Sequence, residues 1–215
     1  RLLANGFGPV DNPINEALSQ TLFPRLSPSS FRDEETVRSF LSFLPRETAF
    51  LSSDLAFYQS QFTDTHFQNL APITLSLRSC DDGDLSSLEK ILNGREWVGI
   101  GTHEQEDLSH YSELKMETSW FDDVQKGPSS SVLISMRYHS CIWAILRGIP
   151  FVAIGTDPKL VSIAAAYEQK SYASFSEMIL DQQSVLSDLD HYHNAILRNR
   201  LKERLSLKEF SLCLQ

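Results

Sequence analysis

The clearest pattern of apolar residues lies in the second half of the chain, where it predicts a strand, a helix and a second strand. Ser131–Ser135 is an apolar run, typical of a strand buried on both faces of a parallel sheet. Tyr138–Arg147 has a helical composition, Gly148 stands at the position of a C-terminal cap, and Pro150 prevents the helix from continuing. Phe151–Ile154 follows as a second buried strand. This order predicts a βαβ unit with two parallel strands.

Weaker patterns extend the α/β organisation along the chain. Strands are predicted at 48–51, 73–77 and 97–100, and helices at 15–23, 34–44, 85–92 (capped by Asp84) and from Ser174 onward. In that last helix, Ile196, Leu197, Leu201 and Leu205 are predicted to form the apolar face. Residues 59–70 are polar and aperiodic, which places a domain boundary there. We therefore predict an α/β fold in two domains, residues 1–70 and residues 71–215, with helices on both faces of a mainly parallel sheet.

Composition and charge narrow the class of protein. The 215 residues are 41% hydrophobic and 22% charged, as in soluble globular proteins. A net charge of −9 repels phosphate backbones, so we expect no nucleic-acid partner, and a small anionic substrate would need a local pocket of Arg and Lys. No apolar run approaches the roughly 18 residues of a membrane span. The three cysteines contain no C-x-x-C pair, which argues against a zinc site or a disulfide framework and predicts a core position for Cys141.

Four polar residues follow the two strands of the βαβ unit. Arg137 and His139 come just after the first strand, where the helix begins, and Asp157 and Lys159 come just after the second. Ligands of open parallel sheets bind at the carboxyl ends of the strands, and neighbouring strands are only about 4.8 Å apart. We therefore expect the four side chains to share one edge of the sheet with a helix N-terminus, which attracts anions. The pattern predicts a phosphate or carboxylate site in which His139 can move a proton near neutral pH.

The same residues carry a resemblance to a known family. Three blocks are similar in order and spacing to those of polysaccharide pyruvyl transferases: Ser135-Met136-Arg137-Tyr138-His139-Ser140, Gly148-Ile149-Pro150 and Asp157-Pro158-Lys159. Four upstream blocks extend the resemblance over nearly the whole chain: Gly6-Phe7-Gly8-Pro9, Phe31-Arg32-Asp33-Glu34, Ser53–Phe57 and Leu75–Arg78.

The chain departs from the family pattern at several points. Tyr138 stands where the family usually has Leu, and Gly155-Thr156 stands where many members have a tyrosine-containing pair. The family's amino-terminal G-x-N-x-G-D-like segment has no counterpart in the sequence. By this resemblance we expect the chain to start partway through the first domain.

The resemblance implies a GT-B-like arrangement of two Rossmann-like domains, with the N-terminal one truncated. It implies transfer of the carboxyvinyl group of phosphoenolpyruvate to two hydroxyls of a sugar, which gives a pyruvate ketal and free phosphate. On this scheme Arg137 and Arg32 bind the donor, and His139 is the general acid or base. Lys159 and Asp157 match a further block of the substrate site, and Asp157 fits a helix cap or turn equally well.

The implied partners are phosphoenolpyruvate and a glycan or lipid-linked sugar acceptor in polysaccharide or cell-wall synthesis. Neither a cofactor nor a metal is expected. We expect a cytoplasmic protein, with or without peripheral attachment to a membrane.

Two other functions fit the same sequence. A GT-B glycosyltransferase that uses a nucleotide sugar would share the fold and the site edge, because fold does not determine function. A non-catalytic fragment of such an enzyme is the second alternative.

Three further groups of polar residues have simpler explanations. His191 and His193 form an H-x-H pair, which we interpret as two exposed histidines of a helix rather than as metal ligands. Asp81, Asp82 and Asp84 fit a solvated turn better than a calcium loop. His103 and Glu104 follow a strand and are weaker candidates for lining the cleft.

Overall fold

The fold consists of two compact units, residues 1–61 with 201–215 and residues 62–200. The computed structural model describes residues 2–5, 17, 20–21, 29–31, 34–43, 49–51, 57, 67–78, 82–101, 118–120 and 129–213. The predicted assignment of residues 1–70 and 71–215 to two domains stays a prediction. Arg32, His103 and Glu104 lie outside the described residues, as do the Gly6–Pro9 block and most of the predicted 15–23 helix.

The first unit contains a small parallel sheet. Strands β1 (Leu2–Asn5), β2 (Ser29–Phe31) and β3 (Ala49–Leu51) pair in that order, and helix α1 (Glu34–Phe43) connects the last two. Phe31 and Phe40 are both fully buried, with ring centroids 4.6 Å apart, so the helix packs on the sheet through an aromatic pair. The predicted helix at 34–44 and strand at 48–51 are confirmed within a residue.

The second unit is built on a six-stranded parallel sheet. Its strands are β4 (Ile73–Ser76), β5 (Trp97–Gly101), β6 (Thr118–Trp120), β7 (Leu133–Ser135), β8 (Phe151–Ile154) and β9 (Lys170–Tyr172). They pair in the order β6-β5-β4-β7-β8-β9. The predicted strands at 73–77, 97–100, 131–135 and 151–154 and their parallel pairing are confirmed. The two edge strands are short and polar, and hydrophobic patterning did not predict them.

Four helices of this unit are described in full: α2 (Asp82–Leu92), α3 (Tyr138–Arg147), α4 (Pro158–Ala166) and α5 (Phe175–Ser187). A further helix, α6 (Leu189–Cys213), begins in this unit, and its residues from 201 onward belong to the first unit. Helix α3 has the predicted bounds and ends at Gly148, whose φ of 69° is the left-handed conformation that glycine adopts without strain.

Three details of the predicted helices are wrong. Helix α2 begins at Asp82, so Asp84 lies inside its first turn rather than at a cap or in a solvated turn. The pattern after Ser174 is two helices, because the chain breaks at Asp188. Leu201 is 61% exposed instead of lying on an apolar face.

The two faces of the sheet are packed differently. One face supplies alternate residues of the central strands to a core with α2 and α5: Ile73, Leu75, Leu77, Val132, Ile134, Val152 and Ile154. The other face carries hydroxyls, and the Ser76 Oγ lies 2.7 Å from the Ser140 Oγ of α3. Cys141 of α3 also contacts the Ser135 side chain, and burial raises the pKa of its thiol to about 12. These small side chains let α3 pack closely on the carboxyl ends of β4 and β7.

The buried side-chain amide of Gln169 links β8, α4 and α6. The Gln169 Oε1 accepts the Phe151 N–H at 3.1 Å, and its Nε2 donates to the Tyr167 and Tyr192 carbonyls at 2.8 and 3.0 Å. The side chain therefore satisfies backbone groups at the start of β8, the end of α4 and the first turns of α6.

Among the described residues, no helix has both the length and the apolar composition for crossing a membrane.

Candidate functional site at the carboxyl edge of the sheet

The predicted site lies where β4, β7 and β8 end side by side. Ser76 pairs with Ser135, and Ser135 pairs with Ala153 on the next strand. Because the pairing is parallel, the segments that follow these residues emerge at the same edge. Arg137 and His139 follow β7, while Asp157 and Lys159 follow β8, as the sequence predicts.

Helix α3 starts at this edge without a side-chain cap. Its N-cap residue is Arg137, with φ −123° and ψ 127°, and no side chain accepts a hydrogen bond at the cap. An arginine has no acceptor atom, and the first turn contains no acidic residue. The Ser135 hydroxyl accepts the Arg137 N–H at 3.0 Å and donates to the Arg137 carbonyl at 2.9 Å, which fixes the turn ahead of the helix. The helix start therefore presents backbone N–H groups and a partial positive charge.

Three hydrogen bonds join this helix start to β4. The Ser76 and Ser140 hydroxyls are 2.7 Å apart, the Met136 N–H donates to the Ser76 carbonyl at 2.8 Å, and the Arg137 Nε donates to the Leu77 carbonyl at 3.0 Å. Ser76 and Ser140 are almost completely buried, and Arg137 is only 7% exposed. These bonds fix the start of α3 to β4, the strand that pairs with β7 on the side away from β8.

The Arg137 and His139 side chains differ in burial and in how they are held. The Arg137 Nε donates to the Leu77 carbonyl, so the guanidinium is oriented by the protein backbone. His139 is different, because it is exposed and its ring meets the Tyr138 ring edge-on at 5.6 Å. Arg137 is therefore a buried, oriented cation, and His139 is the solvent-facing group of the same turn.

Asp157 caps the helix that follows β8. Its Oδ1 accepts the Lys159 N–H at 2.9 Å, and Pro158 occupies the first helical position. Gly155, with φ 129°, turns the chain from β8 toward this cap, and its N–H donates to the Tyr172 carbonyl at 2.8 Å. Only glycine readily adopts that φ, which accounts for the glycine at this position. One oxygen of Asp157 is committed to the cap, the structural role that the sequence left open.

Helix α5, which follows β9, is also capped. The Ser174 Oγ accepts the Glu177 N–H at 3.3 Å, while the Glu177 Oε2 accepts the Ala173 N–H at 2.6 Å. Of the helices α3, α4 and α5, which follow adjacent strands, α3 alone lacks a side-chain cap. Among these three helices, the first-turn N–H groups that no side-chain cap occupies are therefore those of α3, in the turn that contains Arg137 and His139.

The histidine pair of α6 does not form a metal centre. The His193 Nδ1 lies 2.7 Å from the Gly148 carbonyl oxygen, and its ring stacks on Phe67 at 4.6 Å. The prediction of two exposed histidines is therefore correct for His191 and wrong for His193, which packs against the end of α3. Within the described residues, no three His, Cys, Asp or Glu side chains form a group able to hold a metal ion.

Sequence reasoning assigned no role to Ser76, Ser135 and Ser140, whose hydroxyls form hydrogen bonds within the site. Serines at the end of a strand or in the first turn of a helix are common in surface turns, so their positions alone did not point to a role. The signal that could have identified them is a serine within an otherwise apolar strand, because a buried hydroxyl needs a hydrogen-bond partner.

The chain is similar in structure to two proteins of known structure. The crystal structure of TarM matches with a TM-score of 0.65 at 12% identity, over 96% of this chain and 47% of TarM. Arabidopsis thaliana UGT89C1, complexed with UDP-L-rhamnose, matches with a TM-score of 0.56 at 10% identity, over 97% of this chain and 62% of that protein. The chain thus spans about half of one protein and less than two thirds of the other. No protein-family model matches the sequence, and none of the curated proteins does.

These similarities show the class of fold. The chain has Rossmann-like parallel sheets with flanking helices and belongs with proteins of GT-B-like architecture. The resemblance to polysaccharide pyruvyl transferases stays a prediction, as do the binding and catalytic roles of Arg32, Arg137, His139, Asp157 and Lys159.

The cap role of Asp157 gives a first prediction. Asp157→Ala should lower the free energy of unfolding by about 1 kcal/mol, because the Lys159 N–H loses its acceptor. Asp157→Asn should stay within about 0.5 kcal/mol of the unmodified chain, since asparagine caps helices as well as aspartate does. Urea unfolding of the intact chain measures both changes, with the exposed neighbour Thr156→Ala as the control. Equal losses for the Ala and Asn variants would show that the negative charge, not the cap, stabilises this turn.

Proposed function

We propose that this chain is the donor-binding part of a GT-B-like transferase, which moves a group from a phosphate-bearing donor to a sugar hydroxyl. The observation that carries the proposal is the uncapped start of α3, with the buried guanidinium of Arg137 and the exposed imidazole of His139 in the same turn. A helix N-terminus with free N–H groups is a common phosphate site in α/β proteins.

The local arrangement suits an anion despite the overall charge of the protein. The chain carries a net charge of −9, so a phosphorylated donor gains nothing from the long-range field. Arg137 supplies a cation already held by the Leu77 carbonyl, and little side-chain entropy would be lost when a ligand binds to it. A preorganised cation and helix dipole can also stabilise the charge that develops on a departing phosphate. Lys159, in the first turn of α4, is the second cation that we assign to this edge.

A nucleotide sugar is the donor that the structural similarity favours. UGT89C1, whose fold this chain shares, was crystallised with UDP-L-rhamnose. In this scheme the diphosphate lies at the start of α3 beside Arg137, and His139 contacts the phosphate nearest the sugar. The transferred sugar leaves the diphosphate as a hydroxyl of the acceptor attacks, and the acceptor's proton passes to a base.

Phosphoenolpyruvate is the second candidate, and a different observation favours it. The blocks that resemble polysaccharide pyruvyl transferases fall on two consecutive strand–helix turns of one edge, at Ser135–Ser140 and Asp157–Lys159. In this reaction the donor's methylene carbon gains a proton, one sugar hydroxyl attacks C2, and a second displaces phosphate to close the ketal. His139 would supply or remove a proton, and Arg137 would hold the carboxylate or the phosphate.

A thermal-shift comparison distinguishes the two donors. A ligand present at 100 times its dissociation constant stabilises the folded state by about 2.7 kcal/mol, which raises the melting temperature by several degrees for a chain of this size. We expect UDP-sugars to raise it, and the increase to be smaller in Arg137→Lys, because an ammonium cannot reproduce the planar guanidinium. Arg198→Lys, at an exposed arginine of α6 outside both proposed sites, is the matched control. A shift with phosphoenolpyruvate alone would select pyruvyl transfer, and no Arg137-dependent shift with either donor would contradict the site.

The role of His139 is tested by turnover. Because His139 is exposed, His139→Gln should leave the stability of the chain nearly unchanged. If the imidazole moves a proton, turnover of the intact protein should fall by about 10²–10⁴-fold while donor binding survives. Release of UDP or phosphate in the presence of an acceptor sugar gives the rate. His191→Gln, an exposed histidine of α6, is the control and should keep the full rate. Near-normal turnover of His139→Gln would assign proton transfer to another group.

A further inference from the structure

A polar groove lies at the end of the sheet opposite the candidate site. Two adjoining cavities, of about 460 and 380 Å³, share Arg95, Leu186 and Ser187 in their walls. The larger is also lined by Ile73, the first residue of β4, and by Ser131, which precedes β7. We call these joined cavities the N-edge groove. Since all six strands are parallel, the groove and the start of α3 lie at opposite edges of one sheet.

Ser131 is a buried hydroxyl in the wall of this groove. It is 1% exposed, and among the described residues its side chain makes no hydrogen bond. The adjacent Ser130 hydroxyl, by contrast, lies within hydrogen-bond distance of the Pro72 and Val132 carbonyls, at 3.2 and 2.9 Å. A buried hydroxyl is normally paired, so an unpaired one beside a cavity is positioned to bond with a ligand.

The rest of the wall combines charged and amide groups with aliphatic surface. The Asn69 Nδ2 donates to both Asp190 carboxylate oxygens, at 3.2 and 3.3 Å, so its amide is held in a fixed orientation. Arg95 is exposed and forms no ion pair within the described part of the chain, and Glu96 follows it. Leu186 and Leu189 supply apolar area. The groove therefore offers hydrogen-bond donors, acceptors and an aliphatic surface together.

This chemistry fits a neutral sugar better than an anion. Two carboxylates, Glu96 and Asp190, outnumber the single guanidinium of Arg95, which disfavours phosphates. The volume lies within the range of small-ligand sites, about 300–1,000 Å³. A pyranose presents hydroxyls that both donate and accept, together with an aliphatic C–H face. We propose that the N-edge groove binds a neutral sugar unit of a glycan, apart from the donor at the other edge of the sheet. This inference does not rest on the proposed transferase function.

A titration of the isotopically labelled intact chain with methyl glycosides of glucose, galactose and mannose tests the proposal. We expect at least one glycoside to shift the amide resonances of Arg95, Ser131 and Ser187. Ser131→Ala and Arg95→Ala should each weaken that binding by about tenfold, because each removes a polar contact. Ser131→Ala removes a hydroxyl that has no described partner, so the variant should fold. His139→Gln, at the opposite edge, and Lys90→Ala, on the surface of α2, should bind like the unmodified chain.

Several results would overturn the inference. The absence of shifts at the groove with every glycoside would do so, as would shifts confined to residues 137–159. Unchanged affinity in both Ser131→Ala and Arg95→Ala would show that the groove does not form the site. Tighter binding of glucose 1-phosphate than of methyl glucoside at the same amides would contradict its assignment to neutral sugars.

Discussion

The parallel pairing of β4, β7 and β8 is the constraint on which the candidate site depends. Because Ser76, Ser135 and Ala153 lie in register on adjacent strands, the turns that follow them must share one edge. A register shift of one residue in β7 would move Ser135 to the other face of the sheet and Arg137 away from the Leu77 carbonyl. The arginine, the serine pair and the start of α3 are therefore positioned by backbone pairing before any ligand binds.

Helix α3 differs from the two neighbouring helices, α4 and α5, in the way its N-terminus is capped. Asp157 and Ser174 cap α4 and α5 with their own oxygens, whereas Arg137 at the same position in α3 cannot accept a hydrogen bond. An uncapped helix start is less stable by about 1 kcal/mol than a capped one. The tertiary hydrogen bonds of Ser76, Ser140 and Arg137 offset this loss, so α3 keeps its position while its N-terminus stays available to an anion. The same bonds hold Arg137 in a buried position beside the helix start.

Sequence patterning predicted the central fold because strong local preferences and burial agreed there. The apolar runs of β7 and β8, with Gly148 and Pro150 between them, leave few alternatives to a βαβ unit. The placement of Arg137, His139, Asp157 and Lys159 at one edge then follows from parallel topology alone. Patterning could not predict β9, whose polar residues are held by tertiary contacts such as the 2.6 Å bond between the Tyr172 hydroxyl and Asp181. It also failed for His193, because the Gly148 carbonyl that the side chain meets lies 45 residues away in sequence.

The central claim is that the uncapped start of α3 binds phosphate, and it can be tested without knowing the donor. Inorganic phosphate would be titrated into the isotopically labelled intact chain while the backbone amide resonances are followed. We expect the largest shifts at His139 and Ser140, and smaller ones at Lys159 and Glu177, whose N–H groups are already bonded within their own caps. The claim would be contradicted by shifts at Lys159 and Glu177 as large as those at His139 and Ser140. It would also be contradicted if His139 and Ser140 showed no shift at saturating phosphate.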